Sequence, residues 1–116
     1  MIEQRHYEES VPRSRKEITE LLDSGDASKI VTGLHSATFQ DQDWRWVQSQ
    51  CLRFLRDSNA RVRWAAATFL GDIAAFHHNL DLEVVLPALE ECLKDPEIKS
   101  AAQESIDFIH HYVKTQ

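Results

Sequence analysis

The chain has 116 residues, 42% of them hydrophobic, with only three glycines and three prolines. That suits one domain with a buried core, short connections and a helical composition, and it leaves no room for long loops. The net charge is −6, from 19 acidic and 13 basic side chains. Generic nucleic-acid binding is therefore disfavoured, and a basic partner would be attracted.

No run of eighteen apolar residues occurs, so neither a transmembrane helix nor membrane contact is expected. The start, MIEQRHYEES, lacks the apolar stretch of a secretory leader. Cys51 and Cys92 fall in apolar helical patterns and read as buried free thiols. That usage fits a reducing, cytoplasmic setting better than a disulfide or a reactive thiol.

In chain order, residues 1–11 read as a tail or short helix. Residues 12–40 form a weakly patterned helical pair. SRKEITELLDSG turns Ile18, Leu21 and Leu22 inward; Asp26 then caps ASKIVTGLHSATF, with Ile30, Leu34 and Ala37 inward. Residues 42–77 form the best-defined pair. DQDWRWVQSQCLRFLRD carries a stripe of Trp44, Val47, Cys51, Phe54 and Leu55, with Asp43 as N-cap. Asn59 caps the following helix, in which Val62, Ala65, Ala66, Phe69, Leu70 and Ile73 share a face. Residues 81–113 repeat the plan. Asp81 caps a helix with Val85, Leu86, Leu89, Cys92 and Leu93 on its stripe, and Pro87 inside it predicts a bend rather than a break. Asp95 is expected to cap the last helix, with Pro96 at its first position.

The last two pairs are built alike. A shift of 36 lays Asn59 on Asp95, Val62 on Ile98, Arg63 on Lys99, Leu70 on Ile106 and Ile73 on Ile109, and pairs Ala65 and Ala66 with Ala101 and Ala102. In the first helices the shift is 38, so the middle turn is longer by two residues. One helical pair cannot bury its apolar face alone; stacked pairs bury a continuous core, and alanines let neighbouring helices approach.

The run DSNARVRWAAATFLGDIA resembles the HEAT-repeat consensus: an Asp or Asn, a Val-Arg pair, small residues, then Leu-Gly. Here these are Asn59, Val62, Arg63, Ala65, Ala66, Leu70 and Gly71. DPEIKSAAQESIDFI is similar, with Lys99 for the Arg and Asp107 for the Gly. The resemblance covers residues 42–113 well and the first pair loosely. It implies an all-α fold: a short right-handed α-solenoid of about three HEAT-like hairpins, in one domain over 1–116, with repeats at 12–40, 42–77 and 81–113. It also implies that Arg63 ties to an acid of an adjoining repeat, Asp57 or Asp95. The second helices are implied to line a concave side where partners bind.

Off the apolar stripe of the middle second helix lie Trp64, Thr68, Asp72 and Ala75, and the shift of 36 carries them to Ser100, Glu104, Phe108 and His111. The acid at 72 is not repeated at 108; Asp107 is the nearest one. Trp64, Thr68, Asp72, Glu104, Asp107 and His111 are the expected partner-binding residues. Trp64 is either a binding anchor or packs on a neighbouring helix or on the N-terminal tail. Trp44 is expected in the core. Trp46, about 200° around the helix from it, is exposed or covered by the first hairpin. His77–His78 and His110–His111 read as helix C-terminal histidines rather than metal ligands, since adjacent side chains diverge by about 100°. There is no Gly-rich phosphate loop, nucleophile elbow or Cys-x-x-Cys motif, so no catalytic residue, cofactor or metal is expected.

HEAT resemblance alone names no ligand. The sharpest expectation is a non-catalytic binding module, namely an immunity protein (antitoxin) that neutralises a basic toxin such as a nuclease. The alternatives are an accessory or lyase-type subunit of a HEAT-like enzyme and a general protein-interaction scaffold.

Overall fold

Most of the helices open where a polar side chain can take up amide hydrogens that the first turn leaves free. The computed structural model describes residues 11–113; the expected tail or short helix at 1–11 falls outside them apart from Val11. In α1 (Arg15–Leu22) the Ser14 hydroxyl accepts from the Glu17 amide at 3.1 Å, and the Glu17 carboxylate accepts from the Ser14 amide at 2.8 Å. Asp26 caps α2 (Ala27–Gln40) through the Lys29 amide, and Asp43 caps α3 (Trp44–Phe54) through that of Trp46. Asn59 Oδ1 accepts from Arg61 and Val62 at the start of α4 (Ala60–His77).

The last two helices open differently. Asp81 precedes α5 (Leu82–Cys92), but its side chain makes no capping bond; its carbonyl accepts from the Val85 amide at 2.9 Å instead. The α5 helix continues through Pro87, which is exposed. Asp95 does not cap the last helix, and Pro96 does not begin it. Residues 96–98 form a turn, and α6 (Lys99–Tyr112) starts only after Ile98, whose carbonyl accepts from Ala102 at 3.0 Å. Asp95 Oδ1 accepts from the Glu97 amide within that turn while its Oδ2 is held by Arg63, and Ile98 is buried. Meeting both demands takes a turn ahead of the helix.

The register read from the sequence puts matching residues in matching places. Val62 and Ile98, Leu70 and Ile106, and Ile73 and Ile109 are all buried. So are Val47, Cys51, Val85 and Leu89 from the first helices, and Ile18, Leu22, Ile30, Leu34 and Ala37 from the first pair. Leu21, Trp44, Phe69, Leu86 and Leu93 are only partly buried. Among the described residues every element is helical.

Two layers result. The second helices α2, α4 and α6 pack on one another, and α4 against α6 is the largest contact in the molecule. The first helices stand apart: a cleft of about 340 Å³ separates α3 from α5, lined by Leu52, Leu55, Val84, Ala88 and Cys92. An inner layer tighter than the outer one curves the stack toward the second helices.

Gly71 sets the tightness. A Cβ there would sit 2.6 Å from Ser105 Oγ and 2.9 Å from Ser105 Cα, across the α4–α6 contact. The Ser105 hydroxyl donates to the Ala67 carbonyl at 2.6 Å over the same contact. Arg63 fastens the turns. Its Nε is 3.2 Å from Asp95 Oδ2 and its Nη2 2.8 Å from Glu97 Oε1, while Nη1 donates to the carbonyls of Asp57 and Ser58. The turn after α3 is thereby tied to the turn after α5, with Asp95 and Glu97 as carboxylate partners and Asp57 contributing only its backbone.

Two stability measurements follow from these contacts. Gly71→Ala gains at most about 1 kcal/mol of helix propensity, against about 1–3 kcal/mol for overpacking a backbone contact. A net loss of about 1–2 kcal/mol is expected in urea unfolding, and an unchanged midpoint would show that α6 can slide without cost. Arg63→Lys keeps the charge but loses the fork, so a loss of about 1–2 kcal/mol is expected by the same assay.

Candidate partner-binding face

The curvature leaves one side of α4 open. Trp64, Thr68 and Asp72 follow at intervals of four, a row that drifts only about 40° per step around the helix. Trp64 is 44% exposed, so it is not packed away under a neighbouring helix. Thr68 is half-buried, and its carbonyl accepts from the Ser105 hydroxyl at 3.3 Å. Asp72 is half-buried as well. Burial pushes its carboxyl above the ordinary range, the like charge of Glu104 on α6 pushes it further, and His35 on α2 opposes them. Among the described residues no cation forms an ion pair with Asp72, Glu104 or Asp107.

The expected residues do not all come together. Asp72 and Glu104 are close enough to sense each other's charge. Asp107 lies about 60° around α6 from Glu104. It accepts from Gln103 Nε2 at 3.2 Å and lines a shallow depression together with Pro96, Lys99, Gln103 and Glu104 itself. In the repeat register Asp107 corresponds to Gly71, which faces the next helix of the stack. Among the described residues no helix lies beyond α6, so Asp107 occupies the free end of the solenoid, at the rim of the hollow. His111 is exposed near the end of α6, its ring 4.6 Å from that of Tyr112.

Sequence reading passed over an aromatic set on this face. Phe39 of α2 and Phe76 of α4 are exposed at 38% and 56%, with ring centroids 5.7 Å apart. Phe69 lies 6.2 Å from Phe39, and His35 5.0 Å. On α6, Phe108 and Tyr112 stack edge to face at 5.9 Å. Extending the row 64, 68, 72 by one more step of four reaches Phe76 rather than Ala75, so that residue was within reach of the sequence. Phe39 was not, because it depends on how α2 lies against α4.

Trp44 is partly buried, and Trp46 is covered by the first hairpin: the Arg15 guanidinium lies 4.2 Å over its ring. The same Arg15 is 2.9 Å from Asp41. Burial pushes the Asp41 carboxyl up, but the Arg15 hydrogen bond and charge, with the Asp43 amide, outweigh it and hold the group low. Both cysteines are free and buried, and burial pushes the Cys51 thiol up to about 12, which leaves it unreactive. His77 closes α4, His78 is its left-handed C-cap, and His110 and His111 sit in the last turn of α6. Among the described residues no three His, Cys, Asp or Glu side chains gather as a metal site, and no helix is long and apolar enough to cross a membrane.

A curved stack of helical pairs with an inner and an outer layer defines an α-solenoid. Residues 27–107 match the model of the HEAT repeats, more than half of the chain, and the protein belongs to that family. No curated protein matches it. Among solved structures, a chain in the crystal structure of a CDI complex from Cupriavidus taiwanensis LMG 19424 is similar, with a TM-score of 0.80 over 88% of this chain and 92% of that one. Their identity is 24%, so the likeness speaks for the fold.

The position of Asp72 has a thermodynamic consequence. Its carboxyl is raised in the folded chain and ordinary in the unfolded one, so the folded state binds the extra proton between those two values. Stability therefore falls as pH rises through that window, and the penalty persists above it. Asp72→Asn is expected to raise the melting temperature at neutral pH, and the advantage should vanish below about pH 4, where the unfolded carboxyl is also protonated. A variant less stable than the parent at pH 7 would show that the carboxylate has a stabilising partner.

Proposed function

We propose that this HEAT-repeat protein is a non-catalytic binding module, and specifically a cytoplasmic immunity protein that binds and neutralises a basic toxin such as a nuclease. The observation that carries the reading is Asp72: a half-buried carboxylate on the open face of the second helices, in no ion pair among the described residues, with Glu104 adding charge of the same sign that His35 of α2 only partly offsets. Folding gains nothing from such a group, whereas a cationic surface docking against it would. In this reading exposed Trp64, in the same row, is the aromatic anchor, with Thr68 next along the row and exposed Glu104 and His111 contributing from α6. Asp107 contributes at the rim, through charge rather than contact. The similarity to a chain of a CDI complex supports the choice of partner, CDI being a toxin–immunity system.

The test begins with the neighbouring gene. A large secreted effector with a basic C-terminal domain would supply the toxin, and co-expression should rescue cells from that domain. The purified pair should bind with an affinity that falls as salt is raised. Trp64→Ala is expected to weaken the complex by about 2 kcal/mol, roughly thirtyfold, in calorimetry. Unchanged affinity would remove Trp64 from the interface; absence of any protein partner, or salt-insensitive binding, would sink the reading as a whole.

A further inference from the structure

A basic partner accounts for the carboxylates but not for the rings beside them. Phe39 and Phe76 are exposed on different helices with their rings 5.7 Å apart, and Phe69 extends the group inward. Asp72 comes three residues after Phe69 and four before Phe76, so both rings are its neighbours on the α4 surface. A purely apolar partner would bury the Asp72 carboxylate without relief. An ammonium group would relieve the charge, but it is compact and strongly hydrated and does not match flat rings. A guanidinium is planar and weakly hydrated, stacks on aromatic faces and forks onto carboxylates.

The molecule already contains that arrangement once, in filled form. Arg15 lies 4.2 Å over the Trp46 ring while its Nη2 stands 2.9 Å from Asp41 and 3.5 Å from Asp43. In the hollow the rings and two carboxylates are present, and no arginine of the described residues pairs with them. We infer that the hollow takes an arginine side chain of the partner protein, its guanidinium stacked on the exposed Phe76 ring, which stands edge to face with Phe39, and paired with Asp72, with Glu104 beside it. The inference rests on the reading that this face binds a basic protein.

The experiment uses the full chain and two fluorescein-labelled peptides of equal charge, hexa-arginine and hexa-lysine, compared by fluorescence anisotropy at one salt concentration. Hexa-arginine is expected to bind about tenfold more tightly, since only its groups can stack. Phe76→Ala, at an exposed position and with its helix content checked by circular dichroism, should remove most of that preference. Asp72→Asn should weaken both peptides, whereas Glu91→Gln on the outer cleft should change neither ratio nor affinity. Equal affinities, or a preference that survives Phe76→Ala, overturn the arginine site. That failure is separable from failure of the immunity reading: a toxin captured equally by the parent and by Phe76→Ala leaves immunity standing without the pocket. An arginine preference in a protein that captures no toxin leaves the pocket standing without immunity.

Discussion

The approach of α4 to α6 at Gly71 and Ser105 governs the shape of the molecule. With no side chain at 71, the two backbones come so close that a single added carbon would meet Ser105 Cα at 2.9 Å. The Ser105 hydroxyl, buried in the same contact, is satisfied by the Ala67 carbonyl and holds the register. No comparable contact draws the first helices together, and α3 and α5 are left with a cleft between them. The hollow that carries Trp64, Asp72 and the aromatic residues thus follows from a glycine that touches none of them. The same logic explains why the third repeat can carry Asp107 where the second carries Gly71. Among the described residues no helix packs beyond α6, so that position needs no close approach and can take a charge that keeps the end of the stack wet.

What the sequence revealed was whatever repeats along it. Apolar spacing within a helix is a local property, and a shift of 36 doubles the signal, so Val62 with Ile98 and Ile73 with Ile109 could be placed in the core before any coordinates. The tie of Arg63 to Asp95 came with the family resemblance and is present at 3.2 Å. The misplacements involve competition between distant groups. Asp95 has the chemistry of a cap, but Arg63 claims one of its oxygens and the core claims Ile98, so α6 starts later than local preference suggests. Asp107, one residue before Phe108, lines the same depression as Glu104. Phe39 escaped notice because the divergent first hairpin hides the register of α2 against α4.

The distribution of charge separates structure from function. Asp41 and Asp95 each have an arginine, and each pair fastens one segment to another: Arg15 of α1 to the corner after α2, and Arg63 to the turn between α5 and α6. Asp72 has none and is more deeply set than an ordinary surface acid. An isolated protein selected for stability alone would replace that carboxylate with an amide or pair it. Its presence fits the proposed function, in which a cation arrives with another molecule.

Under the proposed function, the two kinds of group on this face would act at different stages of binding. Exposed acids such as Glu104 and Asp107 would act at a distance, their pull on a basic partner felt across about a Debye length and weakened by salt, and would set how fast it arrives and how it is oriented. Half-buried Asp72 and the rings of Trp64, Phe39 and Phe76 would act only on contact, where water is expelled, and would set how long the partner stays. The α4–α6 contact at Gly71 brings Glu104 within the field of Asp72, and the packing of α2 on α4 brings Phe39 beside Phe76, so residues of three helices meet on one face.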